Sequence, residues 1–345
     1  MMISEVDLIS HKFSNIFSSL LVIFILTGMS SCKNEIQPQH LVGEAQGTYY
    51  AITYYDSLER DFSTELDSLF SNFDQSASVY KPESIISRVN RNDSTVVIDD
   101  IFQVVFNKSM EVSESTQGAF DITVMPLVNA WGFGYKGADR SDTINIDSLK
   151  QFVGYKKIRI ESGSVVKDNA GIMIDYNAIA QGYTCDLIGA FFEKHGINNY
   201  LVDVGGEVLA KGTKPGSKPW NVAVEKPADS SASTREIQII VPLENRALAT
   251  SGNYRAYFVK DNKKYSHTID PVTGFPVNHS VLSVSVIANQ CMTADAYATA
   301  FMVMGLEKTK AFLKSSYDLD AYIIYDDNGT LKSWWSEGFP IPTKD

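Results

Sequence analysis

The run Thr293-Ala294-Asp295-Ala296-Tyr297-Ala298-Thr299 leads straight into the apolar stretch Ala300-Phe301-Met302-Val303-Met304. That continuation predicts a buried helix, and in a helix residues four apart lie on one face, one turn apart. Asp295 and Thr299 therefore present two hard oxygens in the same direction. A carboxylate with a hydroxyl is a poor set for zinc or copper but suits Mg²⁺, which takes a few protein oxygens and completes its octahedron with water and phosphate. The same residues have a plainer use, with Thr293 capping the helix and Asp295 answering its dipole. The pair alone leaves both uses open.

Two other stretches offer chemistry. Asp175-Tyr176-Asn177-Ala178-Ile179-Ala180-Gln181-Gly182 reads as a strand-to-helix junction, a place where a helix N-terminus and bare backbone groups can meet a phosphate. Small residues there serve equally to let a helix pack closely on a sheet. Tyr80 sits on the loop before a short helix that Ser84 is expected to cap, suited either to packing or to a ligand contact. Gly132, Gly134 and Gly137 satisfy G-x-G-x-x-G in form only. Dinucleotide-binding glycines follow a strand and open an apolar helix, whereas Pro126 precedes these and the polar run 138–142 follows them.

The elements that must carry these residues read as an α+β fold, a single large domain of mostly antiparallel sheet with packed helices. Strands are expected at Gly47–Tyr54, at the start of 96–116, over Val153–Ile160 and Val165–Ile174, at Tyr200–Val204 with Val208–Ala210 as a hairpin, and over Trp220–Glu225, Glu236–Pro242, Ala247–Ala249, Val281–Ile287, Ala321–Tyr325 and Leu331–Trp335. Thr250–Arg255 reads as a polar turn. Phe62, Leu66, Leu69, Phe70 and Phe73 mark an amphipathic helix that covers the sheet, and a second helix runs on to Thr116. With 345 residues, 44% of them hydrophobic and 21% charged, the chain is folded over most of its length. A net charge of −11 argues against nucleic acid or an anionic membrane surface as the main partner.

The first 31 residues read as an export signal. After His11-Lys12 comes an apolar region from Ile16 to Leu26, too short to span a bilayer, which takes about 20 apolar residues, and it ends in small residues before Cys32. Those small residues resemble a bacterial lipobox, so Cys32 is expected to be the lipidated N-terminus of the mature chain. Residues 32–40 would form a tether, and 41–345 the functional domain. Cys185 and Cys291 remain, either as a disulfide or as two buried thiols.

Taken together, Gly47-Thr48, Ser78–Asn90, Gly118–Gly134, Asp175–Asp186, Val204–Glu207, Thr250-Ser251-Gly252, His267–Pro276 and Ala294–Thr299 resemble, in order, the segments of the ApbE flavin transferases, FAD:protein FMN transferases of the bacterial periplasm. The resemblance implies Mg²⁺ held by Asp295 and Thr299 with the Ala178 backbone carbonyl. It also implies FAD contacts from Tyr80, Ala119, Phe120, Asp121, Asp175, Gln181 and Ile269. The chain departs from that pattern at three positions. Gln46 stands where many members have methionine, Gln181 where lysine or glutamate is common, and Ala298 where some offer a further aspartate.

The implied reaction moves FMN from FAD to a Thr or Ser hydroxyl of an acceptor protein and releases AMP. A hydroxyl needs a base, and an imidazole, whose ordinary pKa is about 6.5, suits the task. His11 falls in the signal, His40 in the tether and His195 beside a turn glycine. His267 is the candidate base, with Asp270 as its helper and His279 in reserve. The implied acceptors are flavoprotein subunits of ion-translocating redox complexes facing the periplasm, with the enzyme anchored through Cys32 on the periplasmic side of the inner membrane. Two other readings use the same residues: metal-dependent hydrolysis of FAD to FMN and AMP, and a non-catalytic flavin-binding lipoprotein.

Overall fold

The computed structural model describes residues 36–341 apart from 135–144, 228–235, 254–256, 261–262 and 317. Pro38–Asp345 forms one compact unit, and Met1–Gln37 is distinct from it. The expectations for the signal, for Cys32 and for Gly137 lie outside the described residues. Among the described residues, no helix is long and apolar enough to cross a membrane.

The first half of the chain holds β1 (Pro38–Ala45), β2 (Thr48–Tyr55), α1 (Ser63–Ala77), α2 (Ile85–Asn90), α3 (Asp100–Ser115), α4 (Met125–Ala130), α5 (Ile146–Lys150), β3 (Ile158–Glu161) and β4 (Ser164–Lys167). The second holds α6 (Ala180–Lys194), β5 (Tyr200–Val204), β6 (Glu207–Lys211), β7 (Trp220–Glu225), β8 (Ile237–Leu243), β9 (Ala247–Gly252), β10 (Tyr257–Lys260), β11 (Lys263–Ser266), β12 (Val281–Ala288), α7 (Cys291–Leu313), β13 (Asp320–Asp327) and β14 (Thr330–Trp335). Eight strands make one sheet in the order β1-β2-β5-β6-β9-β12-β13-β14, every pairing antiparallel, and three two-stranded ladders lie outside it. The expected α+β class is the observed one.

The helices bury the stripes that their spacing predicts. Leu66, Phe70 and Phe73 of α1 are buried; α6 buries Cys185, Ile188 and Phe192 in one apolar cluster with Leu66 and Phe70, while Phe73 joins the larger core cluster. Helix α7 lies against β9 and β12 and is buried along most of its length. Its alanines at 294, 296, 298 and 300, all fully buried, let neighbouring elements pack close to the backbone on both sides, while Phe301 and Met302, fully buried, contribute about 1.5–3 kcal/mol each.

Several expected elements are shorter or placed differently, each for a local reason. The first strand starts at Pro38, inside the segment read as tether, because Pro38–Ala45 pairs along its whole length with Thr48–Tyr55. No strand opens 96–116: Ile98 makes a single backbone bond to Gly163, and Asp99 then caps α3 by accepting from the Phe102 N–H. In place of long strands over 153–160 and 165–174 there is only the short β3–β4 ladder. The Lys157 ammonium ties up the carbonyls of Lys150, Gln151 and Val153, and the Asn90 amide pairs with both the N–H and the C=O of Ile174. A side chain there replaces a strand partner. Thr250, Ser251 and Gly252 are not a turn but the end of β9, paired with Ser285, Val284 and Ser283.

Candidate active site

Gly182 lies in the first turn of α6, and a Cβ built there would meet the Cys291 carbonyl at 2.6 Å and Asp295 Cβ at 2.8 Å. Only glycine lets α6 and α7 come this close. The contact has a polar result, since the Gly182 N–H donates to Asp295 Oδ2 at 3.1 Å. Asp295 is 6% exposed. Burial, more than anything else, lifts its carboxyl to about 7, the Gly182 bond opposing and the Asp186 charge adding.

The start of α7 is capped from another element. Asp186, on α6, accepts from the N–H groups of Cys291 at 2.8 Å and Met292 at 2.9 Å. Thr293, the expected cap, bonds only to the Gln290 side chain at 3.4 Å. Burial pushes the Asp186 carboxyl up to about 6 against those two bonds. One turn on from Asp295, Thr299 Oγ1 lies 3.1 Å from Ser251 Oγ at the end of β9.

These groups open into a cavity of about 620 Å³, within the size range of cofactor sites. Its wall brings together most of the sequence-predicted residues: Ala119, Phe120 and Asp121 on one side, Asp175, Ala178 and Gln181 on another, and His267 and Ile269 near Asp295 and Thr299 in the same lining. Asp121 is 7% exposed and aimed by three donors, the Thr123 N–H at 2.8 Å, the Thr123 hydroxyl at 2.6 Å and the Tyr155 N–H at 2.8 Å. Burial raises its carboxyl and those bonds oppose the rise. Asp175 shows some surface to the cavity, yet enough protein surrounds it to lift its carboxyl to about 6. Phe133 sets its ring edge-on to His267, centroids 6.2 Å apart.

Three predicted residues stand off the wall. Tyr80 is 64% exposed, and its hydroxyl reaches the Asn177 side chain near Asp175, so it borders the cavity from outside. Asp270 closes the turn after Ile269, Oδ1 accepting from the N–H groups of Val272 at 2.9 Å and Thr273 at 3.3 Å. His279 is structural: its Nε2 meets the Met302 carbonyl at 2.8 Å, where α7 departs from helical geometry at Gly305. Ala298 is fully buried in the core. Gln46, at φ +54°, donates to Thr184 Oγ1 at 2.7 Å, and its Oε1 is buried with no partner among the described residues. Cys185 and Cys291 are buried free thiols in mutual contact.

Glu207, Ser251, Gly182 and Asp186 fall inside segments that carry the family resemblance, yet none of them is given a site role by the sequence reading. Glu207 follows Gly205-Gly206, a pair that reads simply as a hairpin turn, and Asp186 finds its partners 105 residues away. Gly182 alone carried a signal, a glycine in a helix where alanine would be preferred.

The donor set fits a divalent cation. Asp295 and Glu207 both face the cavity, Glu207 is 8% exposed with its carboxyl held well above the usual range by burial and by Asp295, and no lysine or arginine stands among the described lining residues. Among the described residues no three or more His, Cys, Asp or Glu side chains are placed to hold a metal ion together, so a cation here would draw further oxygens from backbone, water or phosphate.

A profile of the ApbE family matches residues 46–323. The FAD:protein FMN transferase of Vibrio cholerae is 35% identical over 321 residues, spanning 90% of this chain and 94% of that protein, and that of Escherichia coli K12 is 33% identical over 314 residues, 87% of each. Among solved structures, the flavin transferase ApbE from Vibrio cholerae superposes with a TM-score of 0.78 at 33% identity, covering 88% of this chain and 98% of that one. The apo flavinyl transferase ApbE of Pseudomonas stutzeri gives 0.77 at 28% identity, covering 87% and 95%. Sequence and fold agree along nearly the whole described unit, and the chain belongs to the ApbE family.

Proposed function

We propose that the protein transfers FMN from FAD to a Thr or Ser hydroxyl of an acceptor flavoprotein. The observation that carries this reading is the pairing of the buried Asp295 with the half-buried Thr299 on the wall of a 620 Å³ cavity that also holds His267. A divalent cation, Mg²⁺ by the chemistry of the donors, held by Asp295, Thr299 and the Ala178 carbonyl, would neutralise the FAD pyrophosphate and the departing AMP. Phe120 and Ile269, both buried, give the cavity its apolar wall, while Asp121, Asp175 and Gln181 orient polar groups of the dinucleotide. His267 accepts the proton of the attacking hydroxyl. One oxygen–phosphorus bond forms to the acceptor, the bond to the AMP phosphate oxygen breaks, and the proton leaves through the imidazole.

The acceptors fit subunits of ion-translocating redox complexes, reached by a domain exported and anchored through Cys32 on the periplasmic side of the inner membrane. What supports the placement is the apolar segment Ile16–Leu26 ending at Ser30-Ser31-Cys32. Incubating the protein with FAD, Mg²⁺ and an acceptor domain, with AMP followed by chromatography, tests the reaction class. Transfer requires AMP release that rises with acceptor and vanishes when the acceptor Thr is replaced by Val. Release at an acceptor-independent rate would mean hydrolysis instead.

A further inference from the structure

We propose that Glu207 is a second carboxylate of the cation site, so that a divalent ion lies between the β5–β6 turn and helix α7. This rests on the reading above that Asp295 and Thr299 hold a cation. Glu207 opens β6 as the pairing partner of Val204, directly after a tight turn in which Gly205 and Gly206 take φ of +68° and +109°. Asp203 Oδ1 pins that turn by accepting from the Gly206 N–H at 2.9 Å. The geometry fixes where the Glu207 side chain points, and it points into the cavity beside Asp295.

Among the described residues its carboxyl is bonded by its own backbone N–H, and one of its oxygens is left over. Glu207 is 8% exposed, its Oε2 is buried and has no hydrogen-bond partner among the described residues, and the charge that acts on it most strongly is another carboxylate, Asp295. A buried carboxylate oxygen without a partner is strongly disfavoured, because it has lost its water and gained nothing in return. A hard divalent cation satisfies both carboxylates at once and prefers oxygen donors. Ala298, fully buried one turn from Asp295, supplies no anionic ligand from the helix. Glu207 supplies one from the sheet.

The test titrates the full chain, in detergent and free of FAD, with Mn²⁺, an oxygen-preferring stand-in whose bound and free forms differ by electron paramagnetic resonance. Wild type, Glu207→Gln, Glu207→Asp and Asp295→Asn are compared. Metal-free FAD binding, followed by flavin fluorescence, shows that each variant is folded. The expected result is Mn²⁺ affinity lowered about ten- to hundredfold in Glu207→Gln, less in Glu207→Asp, and at least as much in Asp295→Asn. FAD binding without metal should be unchanged or tighter, because removing a negative charge beside a pyrophosphate does not weaken an anion. Affinity of Glu207→Gln within twofold of wild type, with Asp295→Asn impaired, overturns the proposal and leaves the Asp295 site standing. So does a Glu207→Gln defect confined to FAD, which would make the carboxylate a flavin contact. If Asp295→Asn also binds Mn²⁺ like wild type, the cation reading itself fails.

Discussion

Asp56 and Asp295 are both nearly inaccessible aspartates, 4% and 6% exposed, and the protein treats them in opposite ways. Asp56 takes both prongs of the Arg60 guanidinium, Nε at 2.8 Å and Nη2 at 3.1 Å, with the N–H groups of Leu58 and Arg60 at 3.2 and 3.0 Å. The Arg60 bonds, above all, hold its carboxyl down at about 2. Arg60 also reaches the His195 carbonyl at 3.0 Å and so ties the end of β2 to the end of α6. Asp295 has one N–H, no cation, and an acidic neighbour, and its carboxyl rises to about 7. A carboxylate that is fully paired inside the protein is spent on the fold. One left underpaired at a cavity wall is available to a ligand.

Breaking that contrast at Asp295 should give the largest effect. Asp295→Asn removes a charge and keeps the shape, and turnover should fall about 10²–10³-fold, about 3–4 kcal/mol of barrier. The metal-free protein should unfold at the same or a higher temperature, because a buried charge without a partner is gone. Steady-state AMP release and thermal unfolding read the two sides. Asp56→Ala should do the reverse: stability lower by about 2–3 kcal/mol, the low end for a broken buried pair since Arg60 stays 34% exposed, with kcat/KM within about twofold. Because the folded pKa of Asp56 is depressed, its contribution is present above about pH 4 and lost as the pH falls toward 2. Urea titrations at pH 7 and pH 3 should therefore show the variant's deficit shrinking at the lower pH.

Gly182→Ala sharpens the comparison by touching only the packing beneath the site. Its Cβ has no room against Cys291 and Asp295, so overpacking should cost about 1–3 kcal/mol. The misplaced N–H should add a loss in kcat larger than any change in FAD binding. The smallest effect belongs to Asp175→Asn. Oδ1 accepts from the Asn177 N–H at 2.9 Å, and an amide oxygen keeps that bond. The folded pKa of Asp175 is raised to about 6 from 3.8, so below about pH 3 both states hold the proton and no penalty exists. Between pH 4 and 6 the unfolded chain ionises first and stability falls as pH rises. The substitution should thus stabilise by about 1 kcal/mol at pH 7, under a ceiling of about 3 kcal/mol, and by nothing at about pH 3. Equilibrium unfolding of both proteins at the two pH values checks the sign.

How far the sequence revealed this follows from the range of each interaction. The i, i+4 spacing of Asp295 and Thr299 is local, and the structure keeps the pair in the lining of one cavity with His267, Asp121 and Asp175. The hairpin at Gly205-Gly206 and the buried stripe of α1 are likewise local patterns, and both were legible. What escaped depends on distant partners. Asn90 substitutes for a strand beside Ile174, Asp186 caps a helix 105 residues away, and Glu207 becomes an unpaired charge only when α7 is laid beside it. Thr250–Gly252 reads as a turn because of its polar residues, yet Thr250 Oγ1 meets Ser285 Oγ at 2.8 Å, a hydroxyl pair that only the β9–β12 register creates.

The most direct measurement is the intact mass of an acceptor domain bearing one candidate Thr after incubation with the protein, FAD and Mg²⁺. The account predicts a gain of one FMN less one water on that Thr, abolished by chelator and by Asp295→Asn but retained by Asp56→Ala. A gain that survives chelation and Asp295→Asn would contradict it, because the underpaired carboxylate would then have no part in the transfer.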